Sequence, residues 1–195
     1  MAQRKKNSAA NIIALNENTT RQAIIDAALR CLQKYHIEKT SLSSIATEAR
    51  VTRATVYSYF PTKEDVLHAA LMKIVEQFCI KLLAHIEPYH TANERLLESM
   101  VYICVEIPKD THLKFMTDPA MAEQVNAMTL GSKDGEWVRL EILKKILGKN
   151  IPSQVALEEL CEMVTRVTVS VLVMTPARKK NRKELYAFFK RFIVL

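Results

Sequence analysis

This sequence has little glycine and proline, with three and six residues respectively among 195. Because both residues interrupt helices, their scarcity favours long helices with short connections. No run of about 18 uncharged apolar residues occurs, so we expect no membrane-spanning helix. The apolar stretch at 12–15 is too short for the core of a signal peptide. We therefore expect an all-α, cytoplasmic protein.

The sequence also lacks the spacings typical of metal and disulfide sites. Its four cysteines form no C-x-x-C pair, and its five histidines form no H-x-x-x-H pair. We predict no metal and no cofactor. Each cysteine lies in an apolar helical stretch, which favours buried free thiols that behave as small hydrophobes. The four are Cys31, Cys79, Cys104 and Cys161.

Positive charge is concentrated near the N-terminus. Residues 1–63 hold ten Lys or Arg against four Asp or Glu, a balance of +6. Residues 64–195 hold eighteen against seventeen, a balance of +1. A protein that neutralises phosphates needs such an excess on its binding unit, so the distribution favours a nucleic-acid partner for the N-terminal part.

Residues 40–63 have the pattern of two short helices joined by a tight turn. Ser41 is a suitable N-cap for the first helix, and the turn falls at Arg50. Thr52 is a suitable N-cap for the second helix, Arg53–Tyr59. This order of elements is typical of a helix-turn-helix, whose second helix enters the major groove of DNA.

The second helix has two distinct faces. At 100° per residue, Val56 and Phe60 lie on one face, while Ala54, Tyr57 and Ser58 lie on the opposite one. The side chains at the centre of the outer face are short. The face can therefore approach a surface closely.

The string T-S-L-x-x-I-A-x-x-A-x-V-T-x-x-T-V-Y-x-Y-F-x-x-K-E-x-x-L runs from Thr40 to Leu67. It resembles the N-terminal signature of the tetracycline-repressor (TetR) family of transcriptional regulators. With the helix before it, the resemblance covers roughly residues 20–67. Arg50 stands where the family generally has a turn glycine, and Ala54 where it often has a second one. A non-glycine residue in a left-handed turn costs on the order of 1 kcal/mol, which is tolerable.

The resemblance implies DNA-binding roles for residues in and around the second helix. Physical chemistry agrees for Arg53, whose guanidinium can bond to guanine O6 and N7. Arg50 is either solvated or near the DNA backbone, and Tyr59 is equally compatible with a core position. The expected phosphate contacts are Thr40, Thr52, Tyr57, Tyr59 and Lys63, and the expected base-reading residues are Arg53, Ala54, Thr55 and Ser58.

Lys63 gives independent support for an anionic partner. Thr62 can N-cap the next helix, with Asp65 three residues further on. Lys63 then lies in the first turn, where the helix dipole disfavours a cation. A phosphate nearby would stabilise that charge.

Helical periodicity continues through the rest of the chain. We predict a flexible basic arm over 1–18, a helix-turn-helix domain over 19–65, and a helical effector-binding and dimerisation domain over 66–195. The arm is either a further DNA contact or a solvated tail. Later helices are predicted over 62–84, 92–107, 119–130, 136–147, 154–174 and 182–193, with a loop over 131–135.

The last two helices are the predicted dimer interface. Residues 164–173 are rich in Val and Thr, but the flanking periodicity favours a helix over a strand. The family resemblance implies that the helices at 154–174 and 182–193 form a four-helix bundle with a second copy. The alternative is that their apolar stripes are used within the monomer's own core.

The resemblance also implies a small effector that binds in the C-terminal domain and releases DNA. Methionine and aromatic residues could line an adaptable apolar cavity, or form ordinary core. Few charges occur among them, so we expect an apolar or amphipathic effector. The candidates are Phe78, Met100, Tyr102, Met121, Met128, Trp137 and Met163.

The favoured function is a ligand-responsive, dimeric regulator, in the form of a repressor that binds a palindromic operator. One alternative is a helical interaction adaptor that does not bind DNA, which the presence of Lys63 and Tyr57 opposes. Another is a helical enzyme, which would need paired carboxylates, a nucleophile–base pattern or a glycine-rich phosphate loop. The sequence shows none of these, so we predict no enzymatic activity.

Overall fold

A computed structural model of the chain describes residues 19–32, 34, 40–174 and 180–193, with the backbone alone at 121, 124 and 128. Helices and no strands occur in these ranges, so the predicted all-α class is confirmed. The predicted arm at 1–18 lies outside the described residues. No helix within the described ranges is long and apolar enough to cross a membrane.

The α-helices are α1 (described over 19–32), α2 (Leu42–Ala49), α3 (Arg53–Tyr59), α4 (Lys63–Ile86), α5 (Ala92–Glu106), α6 (Ala122–Thr129), α7 (Lys133–Leu147), α8 (Gln154–Val173) and α9 (Arg182–Phe192). Three short 3₁₀ helices lie between α5 and α6, at Ile107–Lys109, Lys114–Thr117 and Pro119–Met121.

The chain divides into two compact units, Met1–Glu76 and Gln77–Leu195. The division falls within α4, beyond the boundary drawn at residue 65 from the sequence. The reason is packing, since Val66 and Ala70 belong to the core of the first unit. That core also contains buried residues of α1, α2 and α3, namely Ile24, Ile25, Ala27, Ala28, Cys31, Leu42, Ile45, Ala46, Val56 and Phe60.

The core of the second unit is built from one face of each longer helix. On α5, Leu96, Leu97, Met100 and Val101 are all buried. α5 contacts α7, α8 and α9, so it is the central helix of this unit. The other buried members are Leu82, Ile86, Ala92, Leu143, Ile146, Leu147, Leu157, Cys161, Leu185, Phe189 and Ile193.

Glu98 is a buried carboxylate of the second unit, 8% exposed. Glu98 on α5 accepts a charge-assisted hydrogen bond from Arg182, the first residue of α9. His85 on α4 lies 3.5 Å from the same carboxylate oxygen. A buried charge is stabilised only when it is paired, so these contacts fix α9 to α5 and α4.

One prediction about a helix is confirmed, and one about a loop is partly wrong. The β-branched stretch 164–173 is helical, as its flanking periodicity indicated. The predicted loop at 131–135 is wrong in its second half, because α7 begins at Lys133 rather than at residue 136. The Ser132 hydroxyl caps this helix by accepting a hydrogen bond from the Gly135 backbone N–H at 2.9 Å.

Candidate nucleic-acid interface

The first helix of the helix-turn-helix begins at a reciprocal cap. The Ser44 backbone N–H donates to the Ser41 hydroxyl at 3.1 Å, and the Ser41 N–H donates to the Ser44 hydroxyl at 2.9 Å. Two backbone donors at the start of α2 are thereby satisfied. Leu42, Ile45 and Ala46 are then buried on its inner face.

The turn after α2 is a Schellman motif built without glycine. Arg50 has φ 57° and ψ 41°, the left-handed conformation. The Val51 N–H donates to the Ala46 carbonyl at 3.0 Å, and the Arg50 N–H donates to that of Thr47 at 3.2 Å. Val51 packs against the same core as Ala46, the hydrophobic contact that usually accompanies this motif. The predicted turn position is confirmed.

The second helix, α3, is oriented by its cap and its two buried residues. The Thr55 N–H donates to the Thr52 hydroxyl at 3.0 Å, which starts the helix at Arg53. Val56 is fully buried and Phe60 is 3% exposed. The helix is therefore fixed with one face in the core and the other outside.

The outer face of α3 carries Arg53, Ala54, Tyr57 and Ser58, all of them exposed. The Arg53 guanidinium lies 5.9 Å from the centre of the Tyr57 ring, a cation–π contact that holds both side chains on one surface. The Ser58 hydroxyl donates to the Thr55 carbonyl at 2.7 Å. This face presents a guanidinium fork, a phenol and short side chains together.

Two cations lie on either side of α3 along the chain. Arg50 is exposed at the turn before it. Lys63 is half-buried after it, in the first turn of α4, and already has an interaction within the chain. The reciprocal cap predicted for α4 is present, since the Asp65 N–H donates to the Thr62 hydroxyl at 3.1 Å and the Thr62 N–H donates to the Asp65 carboxylate at 3.0 Å.

A surface hollow of about 440 Å³ adjoins the turn, lined by Arg30, Thr47, Glu48, Ala49 and Arg50. Glu48 bonds to Lys34 at 2.8 Å and to Arg30 at 2.7 Å. The hydrogen bonds from these two cations lower the pKa of the Glu48 carboxyl. Arg30 is not predictable from the sequence, because its contact with Glu48 spans 18 positions and leaves no local pattern.

Six of the ten predicted DNA-contact residues are exposed, whereas Thr40 is buried and Thr55, Tyr59 and Lys63 are half-buried. Thr40 is 1% exposed, so its side chain does not belong to the outer surface of α3. Tyr59 is half-buried and packs against the first core. Thr55 is half-buried beneath the outer face, where its hydroxyl lies 2.8 Å from that of Thr52. The others are placed as described above, and all ten roles stay predictions.

The residues predicted to line an effector cavity differ widely in exposure. Met100 is fully buried, and Phe78 and Tyr102 form a tilted ring pair with centroids 5.6 Å apart. In contrast, Trp137 is 66% exposed and Met163 is 39% exposed. The side chains of Met121 and Met128 lie outside the described part of the structure. The structure thus brings together Phe78 and Tyr102, and the lining of an effector cavity stays a prediction.

The geometry defines a class: an all-helical protein whose first unit is a helix-turn-helix with an outward second helix. The sequence model of the tetR family of bacterial regulatory proteins matches residues 24–70. Over these residues the chain is similar in sequence to members of that family. The match covers most of α1, all of α2 and α3, and the start of α4, and it includes the Thr40–Leu67 signature.

Similar proteins include regulators from several bacteria. The HTH-type nicotine-responsive transcriptional repressor HdnoR of Paenarthrobacter nicotinovorans is 37% identical over 57 residues, 29% of each chain. The fatty acid metabolism regulator protein of Bacillus subtilis is 34% identical over 73 residues, which is 37% of this chain and 38% of the relative. This chain therefore spans less than half the length of these curated relatives.

The likeness of fold extends further than the likeness of sequence. The TetR family repressor AlkX from Dietzia has a TM-score of 0.62 at 16% identity, covering 88% of this chain and 91% of that one. The transcriptional regulator FadR from Bacillus subtilis, solved in complex with stearoyl-CoA, has a TM-score of 0.56 at 24% identity, covering 87% and 94%. At these identities the comparison establishes the shared architecture.

Proposed function

We propose that this chain is a ligand-responsive, dimeric transcriptional repressor that binds a palindromic operator through α2 and α3. The observation that carries the proposal is the outer face of α3. Buried Val56 and Phe60 hold that face outward, where Arg53 and Tyr57 are exposed side by side. A guanidinium can bond to the edge of guanine, and a phenol can donate to a phosphate oxygen.

The charge distribution supports the same partner. The balance of +6 over residues 1–63 places the excess charge of the chain with the helix-turn-helix. Affinity for DNA arises first from neutralised phosphates, and it therefore falls steeply with salt. Arg50 and Lys63, on either side of α3, are the proposed backbone contacts nearest to the reading surface.

Dimerisation and release by an effector complete the proposal. One helix-turn-helix unit buries little surface on DNA, and two units in successive major grooves read a palindrome. An effector that favours a spread dimer by a few kcal/mol would shift the population away from the DNA-binding form. The named responsiveness of HdnoR to nicotine is consistent with control by a small molecule in this family.

The test is a fluorescence-anisotropy salt titration on the DNA upstream of the protein's own gene and on random DNA. We expect tighter binding to the upstream DNA and a steep fall in affinity with salt. Lys63→Ala should reduce the slope of log K against log salt by about one, because one phosphate contact is lost. Tyr57→Phe should weaken binding several-fold, since a hydrogen bond contributes about 1 kcal/mol.

Lys81→Ala is the matched control, because Lys81 is an exposed lysine of α4 within the second unit. It should leave both the affinity and the salt slope unchanged. Binding to upstream DNA no tighter than to random DNA would refute the repressor proposal and favour the adaptor. Equal effects of Lys63→Ala and Lys81→Ala would refute the specific role given to Lys63.

A further inference from the structure

Arg139 occupies a core-facing position of α7. It lies four residues before Leu143 and seven before Ile146, which are 4% and 5% exposed. Residues at this spacing share one face of a helix, so Arg139 projects from the same side as these buried residues. An apolar residue is the usual occupant of such a position.

The Arg139 guanidinium is incompletely paired. Its Nε and Nη1 atoms are buried, and no hydrogen-bond acceptor of the described residues reaches them. Two carboxylates of α7 and α8 pair with other cations, Glu141 with Lys144 at 2.9 Å and Glu162 with Arg166 at 2.6 Å. Glu136, three residues before Arg139 on α7, accepts no hydrogen bond from either buried atom. The buried N–H groups are donors without an acceptor, in a protein where nearly all such groups are satisfied.

Arg139 faces a thiol of α8, on which the Glu136 carboxylate also acts. The Arg139 charge and a hydrogen bond from it act on the Cys161 thiol on α8, and both oppose the rise in the Cys161 pKa that burial causes. Cys161 is 5% exposed and belongs to the core of the second unit, together with Leu157 one turn before it. The guanidinium on α7 therefore lies against a thiol of α8 that belongs to this core.

Arg139 is half-buried, and two buried N–H groups without an acceptor cost free energy relative to an apolar residue of similar volume. An anion bound at Nε or Nη1 would supply both the acceptor and the opposite charge. A water molecule would supply an acceptor but no charge, so it would leave most of the desolvation cost in place.

We propose that Arg139 binds the anionic group of a small amphipathic ligand, a carboxylate or a phosphate carried on an apolar chain, in the second unit. Charge-assisted hydrogen bonds to the guanidinium would hold the anion, and the neighbouring aliphatic side chains would hold the chain. The identification of this ligand as the effector rests on the proposed function. Binding itself does not depend on it.

The experiment uses the full chain and three probes of equal chain length: octanoate, octyl phosphate and octanol. Their affinities are measured by isothermal titration calorimetry in a chloride buffer. We expect octanoate or octyl phosphate to bind at least about tenfold more tightly than octanol, because a charge-assisted hydrogen bond is worth that factor or more. The preferred probe identifies whether the anion is a carboxylate or a phosphate.

Arg139→Met retains an unbranched chain without the charge, and it should abolish the preference for the anion over octanol. Arg166→Met is the matched control, because Arg166 is an exposed arginine on α8 paired with Glu162. It should leave all three affinities unchanged. Circular dichroism checks that the variants fold, and Arg139→Gln provides a second neutral replacement should Arg139→Met not fold.

Equal affinity of the wild-type chain for octanol and the better anion would overturn the proposal, as would no binding of any probe. Unchanged anion binding by Arg139→Met or Arg139→Gln would overturn it too. DNA binding by the same preparations separates this inference from the proposed function. Anion binding without operator binding would leave the site standing and the repressor refuted, and the reverse result would refute the site alone.

Discussion

Arg50 combines a conformational cost with a favourable charge at one residue. It is the one non-glycine residue with positive φ among the described parts of the chain. The left-handed conformation of a residue with a Cβ costs roughly 1–2 kcal/mol. The turn nevertheless forms, because the Arg50 and Val51 N–H groups satisfy carbonyls at the end of α2. An exposed guanidinium beside the proposed DNA surface gives a reason for arginine in a glycine position.

Arg50→Gly should separate the two contributions. We expect the free energy of unfolding to rise by up to about 1 kcal/mol, because relief of the left-handed strain exceeds the added freedom of glycine in the unfolded chain. The slope of operator affinity against log salt should fall by about one, since a phosphate contact is lost. Urea unfolding and anisotropy titrations measure the two effects.

Arg50→Lys is the control, because it keeps both the Cβ and the charge. It should match the wild-type chain in stability and in salt slope. A less stable Arg50→Gly protein would show that the turn stores no strain at this residue. An unchanged salt slope in Arg50→Gly would remove Arg50 from the DNA contacts.

Single residues were predictable where their partners are close in sequence. Ser41, Thr52 and Thr62 cap helices through hydrogen bonds three positions away, so the residue type and spacing identify them. Arg139 and Glu98 were not predictable in this way. Their environments are set by other helices, and a charged residue in a helical stripe gives no indication of which groups it will meet.

At the scale of elements, the end of α7 depends on a residue of another helix. The Arg95 guanidinium on α5 donates to the carbonyls of Ile146 at 2.6 Å and Leu147 at 3.2 Å. These carbonyls have no partner within α7, and a cation suits the negative end of a helix. Gly148 follows with φ 64°, and a Cβ there would lie 2.9 Å from Arg95 Nη2.

Arg95→Met should therefore destabilise the chain by about 2–3 kcal/mol, because two partly buried carbonyls lose a charged donor. The measurement is urea unfolding at a fixed protein concentration, since association would change the apparent stability. Lys144→Met is the control, because Lys144 lies in the last turn of α7 and its partner Glu141 is partly exposed. It should cost less than about 1 kcal/mol.

Gly148→Ala tests the close approach of the Arg95 guanidinium to the end of α7. It should also destabilise, and its effect should be smaller in the Arg95→Met background, where the close contact is removed. Full additivity of the two changes would contradict a direct contact. The positive φ of Gly148 sets a remaining cost that both backgrounds share.

Helices were predictable where a stripe of apolar residues follows a clear N-cap residue. The helix at Arg53–Tyr59 was predicted to the residue, and the helix starts at Ala92, Gln154 and Arg182 agree with the structure. The start of α7 was missed because Gly135 was interpreted as loop. It instead donates its N–H to the cap at Ser132, a role that a glycine fulfils as well as any other residue.

At the scale of the whole molecule, α8 and α9 have apolar residues on more than one face. Leu157 and Phe189 are fully buried within the unit's own core. Val155 is 66% exposed and Phe192 is 72% exposed. Phe192 also contacts Phe188, with ring centroids 5.3 Å apart. A dimer interface on α8 and α9 is therefore compatible with their role in the monomer's own core. One face of each helix is buried within the unit, and apolar side chains remain exposed on another.

Those exposed side chains are the basis for predicting a dimer. The wild-type chain should have twice the monomer mass of 22.3 kDa by size-exclusion chromatography with light scattering. Phe192→Asp should raise the dimer dissociation constant about 30-fold or more, because a buried aromatic anchor contributes about 2 kcal/mol or more. Operator affinity should fall with it, since a single unit reads one half-site.

Ile80→Asp on α4 is the control at a side chain of similar exposure, 61%, and it should leave the mass unchanged. A monomeric wild-type chain, or a dimer broken by Ile80→Asp but not by Phe192→Asp, would place the association elsewhere than on α8 and α9.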